Sequence, residues 1–167
     1  MSTKLHGTFC DKIDLSPIGS FWIGLHIEKG ILVRIELLAN EKGYIPVPYG
    51  CQYGFWLKKL LSGMGLEKFP LPFKLRGTDF QKRIWHLTTT IRPGTTLSYG
   101  ELAQLSCCNS PRAVGQALRR NPLPIIVPCH RVIGKDGKLT GFSGGIEIKR
   151  MLIQFERMMR NEDSSNE

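Results

Sequence analysis

Between Asn121 and Ile133, Pro122, Pro124 and Pro128 punctuate an apolar run of Leu123, Ile125, Ile126 and Val127 that ends in Cys129, His130 and Arg131. Proline holds φ at about −65° and offers no N–H donor, so this stretch has little backbone freedom and few places in a hydrogen-bonded ladder. Its apolar character predicts a rigid buried strand that runs up to the thiol. A cysteine in oily surroundings is ordinarily a small inert hydrophobe. Here an imidazole stands next to it, and a base matters because a free thiol titrates near about pH 8.5 and is mostly protonated at neutrality. Neighbours on a strand point to opposite faces, so contact between Cys129 and His130 requires a turn at Cys129 or a bridging water.

The 167 residues can bury a core, as one domain or as two small ones sharing an interface. Residues 1–14 are polar and lack an apolar signal core, and no stretch approaches the roughly 20 apolar residues of a membrane span, so the chain reads as soluble and intracellular. Cys10, Cys51, Cys107, Cys108 and Cys129 leave one thiol over in any pairing, and their spacing fits neither a disulfide framework nor a zinc pair. A reducing compartment and no metal are the expectation. Of the net charge of +9, residues 78–160 carry +8, from 13 Lys or Arg against 5 Asp or Glu. The excess surrounds the cysteine and suits an anionic partner such as nucleic acid, although a basic surface can also be merely solvated.

Phe21, Ile23, Leu25 and Ile27, then Ile31, Val33, Ile35 and Leu37, alternate with other residues, which predicts a hairpin turning at Glu28, Lys29 and Gly30. Tyr53, Trp56, Leu57, Leu60 and Leu61 recur at helical spacing before Ser62 and Gly63. Residues 1–77 thus form a small α/β domain whose last stretch, 63–77, is an interdomain linker. Thr78 with Gln81, and Ser98 with Glu101, are capping boxes that open helices carrying Phe80, Ile84 and Leu87, and Leu102 and Leu105. Ser110 and Pro111 start a third helix, which Asn121 and Pro122 stop. On it Val114, Ala117 and Leu118 share one side, while Arg112, Gln116, Arg119 and Arg120 share the other beside the small Ala113 and Gly115. Two short helices joined near 107–110 suggest a helix-turn-helix unit. A last helix buries Ile148, Met151, Leu152, Phe155 and Met159 and leaves Glu156 on its margin, either solvated or turned inward to His130. Residues 78–160 are therefore a mainly helical domain, and the acidic tail 161–167 is expected to be disordered.

Pro128-Cys129-His130-Arg131, preceded by Asn121-Pro122 and followed by Gly144-Gly145, resembles the active-site signature of the O6-alkylguanine-DNA alkyltransferases, also called methylated-DNA-protein-cysteine methyltransferases. Phe80-Gln81, Trp85, Ser98-Tyr99 and Arg112-Ala113-Val114-Gly115 extend the likeness over about half the chain, from Gly77 to Glu156. It implies a ribonuclease-H-like amino-terminal domain and a winged-helix-like carboxy-terminal one, acting as a monomer without a cofactor on double-stranded DNA that contains O6-alkylguanine. Location would be cytoplasmic, or nuclear in a eukaryote.

By the same resemblance, Cys129 accepts the alkyl group once and irreversibly, through a relay of a water, His130 and Glu156. Tyr99 and Ser143 contact a flipped base, Tyr99 donating to the guanine ring nitrogen. Asn121 braces the turn between helix and thiol. Arg112 fills the space left in the duplex while its helix, with Ala113, Gly115, Gln116, Arg119 and Arg120, enters the minor groove; an ordinary phosphate contact is the rival role for this arginine. The turn before Arg112 is about a residue shorter than the family's, and Phe142 stands where tyrosine is common. The zinc cluster of some members is not visible, because Cys10 and the scattered histidines lack its spacing. Two rival functions stay open: a Cys-His hydrolase or acyltransferase that turns over, and a non-catalytic winged-helix DNA-binding protein.

Overall fold

The computed structural model describes residues 5–40, 43–48 and 52–164, so Cys51 lies outside it. Strands β1 (Gly7–Asp14), β2 (Ser20–Glu28) and β3 (Ile31–Leu38) form an antiparallel meander, and β4 (Ile45–Pro46) pairs parallel with β1, giving the order β3-β2-β1-β4. The expected hairpin turn is present, with Lys29 at φ 51° and Gly30 at φ 79°. Two successive left-handed residues match the twist of the flanking strands, and glycine adopts that region without strain. β1 lies in the segment read only as polar. It is interior to the sheet, between β2 and β4, and so buries Cys10 on one face as well as Phe9 and Ile13 on the other, which blurs the alternation.

Helix α1 (Tyr53–Leu61) buries Tyr53, Leu57, Leu60 and Leu61 over this sheet. Its start sits so close to β1 that a Cβ on Gly54 would lie 2.1 Å from the Lys12 carbonyl oxygen, while the Asp11 carboxylate accepts from the Gly54 amide at 2.8 Å. The expected linker is in fact packed. Phe69 and Leu71 are buried, and Leu32 of β3 donates to the Pro72 carbonyl at 2.8 Å and accepts from the Lys74 amide at 3.0 Å.

The second half contains α2 (Asp79–Thr89), α3 (Tyr99–Leu105), α4 (Pro111–Arg119) and α5 (Ile146–Ser164), with β5 (Leu97–Ser98) and β6 (Val132–Ile133) paired in parallel. Both capping boxes close and Pro111 takes the first turn of α4. Leu105 departs from its predicted stripe, being 59% exposed at the end of α3. Helix α5 continues to Ser164, so residues 161–164 of the acidic tail are helical; 165–167 lie outside the described residues.

The described residues form two apolar cores. One fills the space over the sheet and is completed by Leu123, Ile125, Ile126, Leu152 and Phe155; the other gathers Ile84, Trp85, Leu102, Val114, Val127, Cys129 and Val132. The chain crosses from one to the other between Ile126 and Val127. The predicted strand there does not form: Pro124 bridges Val127 across a tight turn, Val127 donates to the Leu123 carbonyl at 2.8 Å, and a 3-10 turn spans Cys129–Arg131. Three prolines withhold the donors a strand would need, so the apolar side chains are buried by a turn instead. Within it Ile125 holds φ 75°, a conformation that costs a β-branched residue on the order of 1–3 kcal/mol.

Candidate active site

Asn121 follows the carboxy-terminal end of α4 and opens the proline-rich connection to the thiol. Its side-chain amide donates to the Val127 carbonyl at 2.9 Å and to Sγ of Cys129 at 3.2 Å, and its Oδ1 accepts from the Leu123 amide at 2.9 Å. One side chain thereby ties the end of α4 to the turn that carries the thiol. From the other side, Trp85 is buried in α2 and donates Nε1–H to the Ala117 carbonyl at 2.9 Å.

The 3-10 turn supplies the change of direction that a strand would not. Cys129 faces a cavity of about 650 Å³, while His130 is fully buried behind it. Burial pushes the Cys129 thiol above its ordinary value, against the Asn121 hydrogen bond and the nearby Lys149, so the resting group is the thiol. Burial likewise lowers His130, against Glu156, which keeps the imidazole neutral. Nε2 of His130 lies 2.8 Å from Oε1 of Glu156, and the tautomer that suits a carboxylate acceptor puts the proton on Nε2. Nδ1 is then a free acceptor. Among the described residues it has no hydrogen-bond partner.

Glu156 is turned inward, not solvated. Its carboxylate accepts from Arg131 Nε at 3.1 Å and Nη2 at 2.8 Å, and from the Gly94 amide at 3.0 Å. Burial alone would raise its pKa, but His130 and Arg131 overcome that and hold it at about 2. Arg131 also donates to the Ile91 carbonyl at 2.5 Å, anchoring the cluster to the end of α2. A fixed carboxylate of this kind stabilises the imidazolium that forms when Nδ1 takes up a proton.

Two members of the site were not singled out from the sequence. Arg131 belonged to the Pro128-Cys129-His130-Arg131 signature but had no role of its own. Lys149 is fully buried and donates to the Val132 carbonyl at 2.7 Å and the Thr140 carbonyl at 3.0 Å, with Nζ 5.8 Å from the Tyr99 ring centre and 5.9 Å from that of Phe142. Burial brings it down to about 8, with Cys129 opposing. A signal existed: Lys149 stands two turns before Glu156, on the same face of α5.

Of the residues singled out, Tyr99, Gly115, Arg119, Cys129 and Ser143 line the cavity together with Phe142. The Tyr99 hydroxyl donates to the Thr140 carbonyl at 3.3 Å, and burial raises its pKa. Arg112 and Gln116 are exposed along α4 with Ala113 half-buried between them, and neither arginine nor glutamine reaches the cavity. Arg120 is exposed at the end of the helix, beside a second cavity. The short turn before Arg112 is closed by Cys107 at φ 52° and by Ser110 Oγ, which accepts from the Ala113 amide.

Residues 79–158 match the family model of the 6-O-methylguanine DNA methyltransferase DNA binding domain. The chain is 49% identical over 149 residues to a methylated-DNA-protein-cysteine methyltransferase of Methanosarcina barkeri, covering 84% of this chain and 92% of that one. It is 54% identical over 93 residues to the Mycobacterium tuberculosis counterpart, a match that spans 55% of this chain and only 56% of the relative. Among solved structures, Mycobacterium tuberculosis OGT in complex with DNA is similar at a TM-score of 0.68 and 39% identity, covering 90% of this chain and 94% of that one. The O6-methylguanine-DNA methyltransferase of Pyrococcus kodakaraensis is similar at 0.72 and 30%, covering 90% and 99%. Fold and site define a protein in which a buried cysteine at a cavity wall is followed by an imidazole hydrogen-bonded to a buried carboxylate. The chain belongs to the methylated-DNA-protein-cysteine methyltransferase family.

Proposed function

We propose that this protein repairs DNA by moving an alkyl group from O6 of guanine directly to Sγ of Cys129, once per molecule. The observation that carries this reading is a thiol facing a cavity large enough to admit a base, with a neutral imidazole and a buried carboxylate behind it. His130 Nδ1 takes the thiol proton through a water, and Glu156 holds the resulting imidazolium. The thiolate attacks the alkyl carbon in line, the carbon–oxygen bond breaks, and guanine leaves with the bonding pair. Tyr99, at the cavity wall, donates a hydrogen bond to a ring nitrogen of the departing guanine and so makes it a better leaving group. The thioether has no easy hydrolysis route, so no turnover follows.

The guanine reaches the cavity by leaving the duplex, which costs a few kcal/mol. Helices α3 and α4 serve as a helix-turn-helix whose exposed Arg112, Ala113 and Gln116 enter the minor groove, where the small residues permit close approach and Arg112 fills the vacated space. Ser143 closes over the base from the loop opposite, and Asn121 positions Sγ. The antiparallel meander with β4 parallel to β1 supports the ribonuclease-H-like reading of residues 1–77, and the β5–β6 pair beside α3 and α4 supports the winged-helix-like reading of 78–160. With DNA as substrate, the cytoplasm, or the nucleus of a eukaryote, is its place of work.

The test is duplex DNA bearing a labelled O6-methylguanine. One equivalent of label on Cys129 is expected; multiple turnovers would indicate a hydrolase, and binding without transfer a DNA-binding protein. Arg112→Ala should impair transfer from the duplex far more than transfer from free O6-benzylguanine. Equal losses on both would remove the base-flipping role.

A further inference from the structure

A second cavity, of about 410 Å³, opens where the end of β3 meets the end of α4, and it is lined by Arg34, Glu36, Arg119, Arg120, Asn121 and Ser143 among others. Arg119 and Ser143 line the thiol cavity as well, so the two spaces share a wall. The floor is fixed across the two halves of the molecule, since the Ile35 amide donates to the Pro122 carbonyl at 2.8 Å. Charged side chains around it are three arginines and one glutamate, a local net of +2. That glutamate is already committed: Glu36 accepts from Arg34 at 2.8 Å and from the Tyr44 hydroxyl, with His26 at 3.4 Å. Among the described residues Arg119 and Arg120 have no acidic partner, although both are exposed.

We infer that this groove binds the sugar-phosphate backbone flanking the flipped nucleotide, with Arg34 of the amino-terminal sheet supplying a phosphate contact. The inference rests on the proposed function. A base seated against Cys129 remains joined to phosphates on both sides, and the wall shared through Arg119 and Ser143 leads from its cavity into the groove. Guanidinium groups suit that ligand, because each presents a planar fork of donors to phosphate oxygens. The sheet half of the molecule thereby becomes part of the DNA-binding surface, where charge reading of the sequence had placed only residues 78–160.

The experiment compares two matched arginines. Arg34 is 62% exposed and paired with Glu36 at 2.8 Å; Arg76 is 61% exposed and paired with Glu28 at 2.7 Å, and neither Arg76 nor Glu28 lines the groove. Affinity for a duplex carrying O6-methylguanine is measured against salt for the wild type, Arg34→Ala and Arg76→Ala. Loss of one phosphate contact should lower the slope of log K against log salt by about 0.9, and affinity by roughly five- to tenfold near 0.1 M salt. That change in Arg34→Ala alone supports the groove. Equal changes in both variants would reveal only a long-range field, and unchanged slopes would remove the contact; either result overturns the inference. Label transfer by the wild type keeps the two readings apart: transfer with matching slopes refutes the groove alone, whereas a wild type that neither binds the duplex nor takes label refutes both.

Discussion

Among the described residues, a glutamate meets a histidine and an arginine in two clusters. On the outer face of the sheet, Glu36 meets His26 and Arg34; behind the thiol, Glu156 meets His130 and Arg131. The residue types are the same, but Glu36 is 29% exposed and Glu156 1%. Water screens the first, so its members are replaceable, and the Tyr44 hydrogen bond does most to lower Glu36. The second is shut off from bulk solvent by burial, so every charge depends on the others and the carboxylate favours one tautomer of the imidazole. Burial therefore turns a common surface arrangement into one that can steer a proton.

Removing one partner is the strongest way to break the comparison. Glu156→Gln leaves Arg131 buried without its counter-charge, which typically costs about 3–5 kcal/mol. At roughly 2–4 °C per kcal/mol for a chain of this size, the melting temperature should fall by some 6–20 °C. Alkyl transfer should slow by about ten- to a hundredfold, with duplex affinity nearly unchanged. A variant that melts and reacts like the wild type would place Glu156 outside the relay.

Acid titration sharpens the same point. Because the folded Glu156 carboxyl sits at about 2, below its ordinary 4.5, its contribution is full above pH 4.5 and is lost as pH falls toward 2. The loss is on the order of 3 kcal/mol, and Glu156→Gln should lack that part of the acid slope. Unfolding free energies measured from pH 6 down to pH 2 would show whether the two proteins converge, as expected, or stay parallel.

Alkylation should be felt next. Sγ of Cys129 lies at the cavity wall beneath the Asn121 amide, and a methyl group there displaces that hydrogen bond and presses on the buried turn behind it. Overpacking costs about 1–3 kcal/mol, so the spent protein should melt several degrees lower, with hydrogen exchange rising first at residues 111–121. Matching melts and matching protection would show that the cavity absorbs the adduct.

Smallest of all should be Glu36→Gln, the counterpart of the first variant on the sheet. An exposed pair contributes less than about 1 kcal/mol, so its melting temperature should stay within about 4 °C of the wild type. A loss as large as that of Glu156→Gln would dissolve the contrast.

Local rules settled much of this in advance. The Lys29-Gly30 turn, both capping boxes and Pro111 at the head of α4 depend on neighbours within four residues, and they form as read. Cys129, His130 and Asn121 stand near one another because 121–131 is one short connection, so that grouping was legible too, and Tyr99 joins it at the wall of the same cavity. The errors came where distant segments decide. Apolar side chains at 123–127 signalled burial but not its geometry, since a proline-rich turn wedged between two cores hides them as well as a strand would. β1 was hidden because an interior strand need not alternate, and Glu156 looked marginal because helical spacing measures angle and not what packs against it. Arg131 and Lys149 were passed over for a related reason. A charge reads as surface until its partners are known, and theirs, Glu156, Ile91, Val132 and Thr140, are brought to them only by the fold. Sequence alone determined which reactive side chains lie close together along the chain; the burial that brings Glu156 against His130 and Arg131 is a property of tertiary packing, because that partner comes from a distant segment.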